Sequence, residues 1–276
     1  MSDLAGFSVN QMTVKQLSLP ELVEGCLDLG VPGVGLWREP VAAFGLKAAA
    51  RLVREAGLAV TTLCRGGFLT AIDPAARAAA LADNRAAVDE AAELGTDTLV
   101  LVSGGLPPGS RDLAGARERI ADALGLLAPY ASGRGVRLAI EPLHPMFASD
   151  RCVVSTLAQA LDLAERFPAA QVGVAVDTYH LWWDDRVAEQ IERAGAGGRI
   201  ACFQLADWTT PLPAGVLNGR GQLGDGAVDF RWFGEAVAAA GYRGPVEVEL
   251  FNDGLWARDG REVLAETVAR YRAHAL

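Results

Sequence analysis

VGVAVDTYHL, residues 172–181, opens as five small or β-branched apolar residues, closes on the carboxylate of Asp177 and continues into a helix-compatible stretch. A short apolar run ended by such a switch reads as a buried strand of a parallel sheet. An acid at the end of that strand is costly to desolvate and needs a compensating charge. The same pattern recurs on both sides. RLAIE at 137–141 ends on Glu141, IACFQL at 200–205 carries Gln204 near its end, and VEVELF at 246–251 carries Glu249. Groups able to bind a hard cation at four successive strand ends point to one shared ion.

Working outward, four further apolar runs read as strands: GFSVN at 6–10, GVGLW at 33–37, AVTTLC at 59–64 and DTLVLVS at 97–103. Ala-, Leu-, Arg- and Glu-rich stretches of helical period separate them. Ser18-Leu-Pro-Glu21 has the form of a capping box, and Gly30, Gly57, Gly95 and Gly135 stand where helices should stop. The Ala-rich run at 75–92 has the Arg and Asp spacing of an amphipathic helix. Eight βα units in 276 residues predict an α/β chain folded as a single (β/α)8 TIM barrel over 1–276. A doubly wound sheet would also alternate, but it gathers its chemistry at one switch point, and here polar groups end at least six strands. No GxGxxG follows the first strand, so a dinucleotide site is unsupported.

The formal charge of −9, with scattered basic residues, argues against nucleic acid. The first residues lack a basic start and apolar core, and no apolar run approaches the roughly 20 residues that span a bilayer. These features predict a soluble, cytoplasmic protein without a membrane role. Cys26, Cys64, Cys152 and Cys202 are widely spaced and read as buried, reduced thiols.

Glu141, Asp177, Gln204 and Glu249 offer only oxygen ligands, a set suited to Mn²⁺, with Mg²⁺ as the alternative. Glu247 lies two residues before Glu249 on the same strand face, hence deeper, and is expected to pair with Arg137 or Arg65. His180, one turn after Asp177, contacts substrate or orients that ligand. His274 is expected at the surface.

The order Glu141, Asp177-Thr-Tyr-His180, Gln204-Leu-Ala-Asp207 and Glu249 resembles the sugar phosphate isomerase/epimerase superfamily, the xylose isomerase-like barrels. Many members carry His where this chain has Gln204. The segment EPLHPMF at 141–147 is similar to the large subunits of C-glycoside deglycosidases, which act on 3-oxo-glycosides. WREP at 37–40, CRGGF at 64–68, WWD at 182–184 and RGQLGDG at 220–226 look like the same branch. The resemblance implies a catalytic base at His144 and a small β-rich partner subunit in a hetero-oligomer. Arg65, Trp37, Trp183 and Arg220, with His180, are then expected around a keto sugar or 3-oxo-glycoside. Arg65 would hold a hydroxyl or carboxylate, and the glycine-rich stretch from Arg220 would form a mobile substrate loop. Packing under loops is the other reading of the indoles.

The expected reaction begins with C2 proton loss next to a cation-polarised ketone and ends in expulsion of the C1 aglycone. Ketose 3-epimerase, aldose–ketose isomerase and inosose-type dehydratase chemistry share the first step and are the alternatives. A non-catalytic barrel binding sugar or a partner is the reading from another class. Leu212, Val216, Leu255 and Trp256 are apolar loop residues that could cover a partner or the barrel itself.

Overall fold

In the computed structural model, which describes residues 4–275, the apolar runs form β1 (Phe7–Asn10), β2 (Gly33–Trp37), β3 (Ala59–Gly67), β4 (Thr98–Val102), β5 (Arg137–Glu141), β6 (Val172–Asp177), β7 (Ile200–Leu205) and β10 (Val246–Val248). A hairpin of β8 (Asp207–Trp208) and β9 (Arg220–Gly221) is inserted between the last two. The eight long-range partners are parallel and close in the order β1-β10-β7-β6-β5-β4-β3-β2, a (β/α)8 TIM barrel. Helices such as Leu19–Leu29, Pro74–Leu94 and Leu113–Ser132 cover the outside.

Local chemistry sets these boundaries. Ser18 and Glu21 exchange both capping hydrogen bonds, and Gly30 then ends that helix in the left-handed region at φ 69°. The Ala-rich run is the helix Pro74–Leu94, capped by Asp73, whose carboxylate accepts from Ala76 N. Two strand ends differ from the sequence reading. β3 runs on to Gly67 through a register shift between Cys64 and Gly66, and β10 stops at Val248 because the chain beyond it turns toward the β9 hairpin.

Most of the apolar core lies between strands and helices, where Leu36, Leu63, Leu99 and Leu138 meet Leu22, Ile120, Leu124 and Leu127. Inside the ring the side chains are small: Cys64, Val100, Ala139, Ala175 and Cys202. Such residues leave space for polar groups above and below them, where larger aliphatics would fill the centre. All four cysteines are free and buried. Among the described residues no helix is long and apolar enough to cross a membrane.

The lower polar layer is Glu247. Its carboxylate accepts from Asn10 Nδ2 at 2.8 Å, Thr61 Oγ1 at 2.7 Å, Thr62 Oγ1 at 2.9 Å and Gln204 Nε2 at 3.0 Å. The expected cationic partner is therefore replaced by neutral donors. Arg137 turns instead to the carbonyls of Gly198 and Ile200, and Arg65 lies over Phe68. Gly35 makes the layer possible, since a Cβ there would stand 2.5 Å from Glu247 Oε2. Glu247→Ala leaves four donors without an acceptor in the barrel centre and should destabilise the fold by about 3–5 kcal/mol. At this chain length that corresponds to a fall of roughly 10 °C in Tm. A shift of a degree or two in calorimetry would show that the network contributes little.

Candidate metal centre

Parallel pairing brings the strand-end groups into adjacent layers at the C-terminal end of the barrel. Asp177 is in register with Gln204, which is in register with Glu247, while Glu141 closes β5 beside Val102. Because side chains alternate along a strand, Glu249 points the same way as Glu247 but one layer nearer the mouth. Glu141, Asp177, Gln204 and Glu249 are all buried. Ligand atoms of Glu141, Asp177 and His180 lie within 4.8 Å of one another, close enough to share a metal ion.

Arg220 enters this cluster from β9. Its Nη1 donates to Glu249 Oε2 at 3.0 Å and Asp177 Oδ2 at 3.4 Å, and its carbon lies 4.8 Å from the Phe251 ring centre and 5.0 Å from that of Tyr179. Three buried carboxylates thus face one buried guanidinium. Burial, followed by the charges of Glu249 and Asp177, pushes Glu141 well above the usual carboxylate range. Burial also raises Asp177, partly offset by Arg220, and brings Glu249 up to about 7. Burial is the first cause of each shift, and at Glu141 and Glu249 the neighbouring acids add to it.

Gln204 is the neutral member of the set. Its Nε2 is used by Glu247, while its Oε1 is buried with no hydrogen-bond partner. A buried amide oxygen without a donor is a group that a cation would satisfy, as it would the acids. Glu141, Asp177 and His180 stand close enough to fit a divalent ion, with Gln204 and Glu249 as further oxygen donors nearby on β7 and after β10.

His180 could replace Gln204 in such a set. His144 N donates to His180 Nδ1 at 3.2 Å and Arg220 Nη2 faces Nε2 at 3.3 Å, so both ring nitrogens meet donors. Burial, then Arg220, holds His180 far below the ordinary imidazole pKa and keeps it neutral. Nε2 lies 3.9 Å from Glu141 and 3.8 Å from Asp177.

A cavity of about 250 Å³ opens on this cluster. Of the residues anticipated from sequence, Trp37, Arg65, Glu141, His180, Arg220 and Glu249 line it. Leu143, Arg151, Leu217 and Phe251 also line it and carried no signal of periodicity or spacing. Trp37 is fixed by its indole N–H, which donates to Asn10 Oδ1 at 2.9 Å. Asp177, Gln204, His144 and Trp183 stand outside the lining. The His144 ring packs 4.8 Å from Trp208 and 5.3 Å from Trp183, its Nδ1 accepts from Met146 N, and burial lowers its pKa. Trp183 is tied to His180 O at 2.7 Å.

The glycine-rich stretch after Arg220 is anchored where a mobile loop was expected. Buried Asp207 accepts from Gly224 N, Gly226 N, Val228 N and its own neighbour Trp208 N, at 2.8–3.1 Å. His274 is half-buried and packs its ring against Gly224. The apolar loop residues also turn inward: Leu255 is buried, Leu212 and Val216 pack on the core, and Trp256 donates to Met12 O under Lys15.

A family profile described as xylose isomerase-like TIM barrel matches residues 23–272. A 3-dehydroshikimate dehydratase of Pseudomonas aeruginosa is 37% identical over 177 residues, 61% of this chain and 26% of that protein. The chain thus matches about a quarter of the length of that relative. A ketose 3-epimerase of Arthrobacter globiformis is 29% identical over 225 residues, 78% of this chain and 72% of the epimerase. A crystal structure of a Sinorhizobium meliloti protein superposes with a TM-score of 0.95 at 46% identity, covering 99% of each chain. These matches carry the resemblance to the level of the superfamily, whose named relatives are sugar- and cyclitol-type enzymes.

Proposed function

The chain belongs to the xylose isomerase-like TIM barrel family, and from that membership we propose a divalent-cation-dependent enzyme that enolises a small keto sugar. The close grouping of ligand atoms from buried Glu141, Asp177 and His180, with the buried Gln204 Oε1 left without a hydrogen-bond partner, is the observation that carries this reading. Glu141, Asp177, Gln204 and Glu249 would hold the ion, Mn²⁺ first and Mg²⁺ second on ligand hardness. A bound dication would polarise the ketone and make the adjacent C–H acidic.

The protein's own groups supply the rest. Glu249 faces the cavity and takes the proton, with Arg220 fixing its carboxylate and the hairpin fixing Arg220. His180 lines the cavity beside the acids and contacts the substrate. At about 250 Å³ the cavity is near the small end of the roughly 300–1,000 Å³ common for ligand sites, so it suits one sugar ring. Return of the proton to the same carbon gives epimerisation, return to the neighbouring carbon gives isomerisation, and loss of a β-substituent gives elimination.

One arrangement favours elimination from a 3-oxo-glycoside, C-deglycosylation included. The imidazole of His144 sits on Trp208 beside exposed Trp183, an aromatic ledge that an aglycone could cover. In that lyase reading His144 removes the C2 proton, and the small β-rich subunit belongs to the assembly. Free, buried thiols suit a reducing compartment, and our placement is cytoplasmic. Deuterium wash-in from D₂O, followed by NMR on ketoses and on 3-oxo-glucosides with Mn²⁺ present, tests the proposal. Exchange next to the ketone is the expected result, and released aglycone selects the lyase. An intact cation site with no exchange from any keto sugar would leave a binding barrel in its place.

A further inference from the structure

We propose that the cavity also carries an anion-binding pole, built by Arg65 and Arg151, so that the sugar it takes bears a carboxylate. This rests on the keto-sugar reading above and adds the substrate class to it. Both guanidinium-bearing side chains line the same cavity as Glu141 and Glu249. Arg65 follows Cys64 at the end of β3, and Arg151 comes from the loop after β5, so the two flank the β4 wall of Val100 and Val102.

What sets them apart is how little of their charge is matched. Among the described residues Arg65 makes no side-chain hydrogen bond or ion pair and lies 4.4 Å over the Phe68 ring. Burial pushes its pKa down, Glu39, which is exposed, partly opposes that, and Arg151 adds to it. Arg151 has only Asp150, 3.8 Å away and 64% exposed. Other partly or wholly buried arginines are saturated by comparison. Arg38 holds Glu90 and Asp83, Arg199 holds the carbonyls of Ala164, Val172 and Phe167, and Arg220 holds Glu249 and Asp177.

Two such cations repel each other in a partly desolvated space, and a ligand carboxylate relieves both at once. The planar guanidinium fork matches that group in two parallel hydrogen bonds, which fixes the ring it belongs to as well as binding it. Leu143, Leu217 and Phe251 supply apolar wall for the ring itself. A keto-uronate or another ring bearing both ketone and carboxylate meets both poles of the cavity.

The test uses two pairs of probes that differ only in this group. Methyl β-D-glucuronide and methyl β-D-glucoside have no ketone and report binding alone, by calorimetry on the protein with Mn²⁺. D-Fructuronate and D-fructose report deuterium wash-in. The acid of the first pair should bind at least about tenfold more tightly, as one or two charge-assisted hydrogen bonds predict. In the Arg65→Gln/Arg151→Gln double variant, checked for an unchanged Tm, that ratio should fall toward one, and the fructuronate-to-fructose ratio of kcat/KM should fall with it. Equal binding of acid and neutral sugar overturns the pole, as does a preference that survives in the double variant, since the carboxylate then goes to the cation. An acid preference lost in the variant, with no exchange from either ketose, keeps the pole and removes the enolisation reading beneath it.

Discussion

Glu141→Gln is expected to strip the protein of its divalent cation and to lower kcat/KM on a keto sugar by a factor on the order of 10³ or more, about 4 kcal/mol. The substitution keeps the side-chain volume and one oxygen but removes a charge from the most strongly perturbed acid of the cluster. It also has an opposite effect on the metal-free protein. A buried carboxylate crowded by Glu249 and Asp177 destabilises the fold, so its neutral isostere should raise Tm in the presence of chelator while abolishing the rise in Tm that Mn²⁺ produces. A residue important only for packing would lower both.

Proton linkage gives the same site a pH signature. Glu249 is raised from the ordinary 4.5 to about 7, so the metal-free native state binds more protons than the unfolded chain between those values. Its contribution to stability is complete below about 4.5 and lost as pH rises through about 7. The cation competes with those protons, and its affinity should climb over that window and level off above it. Dialysis with elemental analysis at pH 5.5 and 7.5 checks both points. Metal content unchanged in Glu141→Gln would place the ion elsewhere.

The second large effect separates the two candidate bases. Glu249→Gln, measured at saturating Mn²⁺, should slow deuterium wash-in by roughly 10³-fold, within the range that general bases contribute. His144→Ala should slow it by less than about tenfold, because the imidazole packs on indoles outside the cavity lining and reaches the site only through its backbone N–H to His180. The geometry decides this expectation more than the pKa does, since a neutral imidazole is chemically competent in either place. The reverse outcome, with exchange surviving in Glu249→Gln and lost in His144→Ala, would transfer the proton step to His144 and with it the lyase reading.

Much of this was written locally. An apolar strand closed by an acid, a capping box, and a glycine at a helix stop are readable because their causes lie within a few residues, and six of the eight barrel strands end within one residue of where they are expected. The expected partner of Glu247 failed for a physical reason: strand alternation says which layer a residue occupies, but not which neighbours from β1, β3 and β7 supply its donors. Asn10, Thr61 and Thr62 are ordinary strand residues until the ring closes.

The loops were less legible still. Two-residue strands have no period, so the β8–β9 hairpin that carries Arg220 into the acids left no trace, and Gly-rich composition suggested motion where Asp207 gathers four backbone N–H groups. Sequence by itself determined the βα repeat and which way Glu141, Asp177, Gln204 and Glu249 face from their strands, because side-chain direction along a strand is a property of two adjacent peptide units. Only the tertiary structure decided that Arg220 sits between two of those acids, that Gln204 Oε1 is left without a donor, and that Arg65 and Arg151 share their cavity while His144 turns aside. Those are meetings between residues tens of positions apart, and closing the barrel is what brings them into contact.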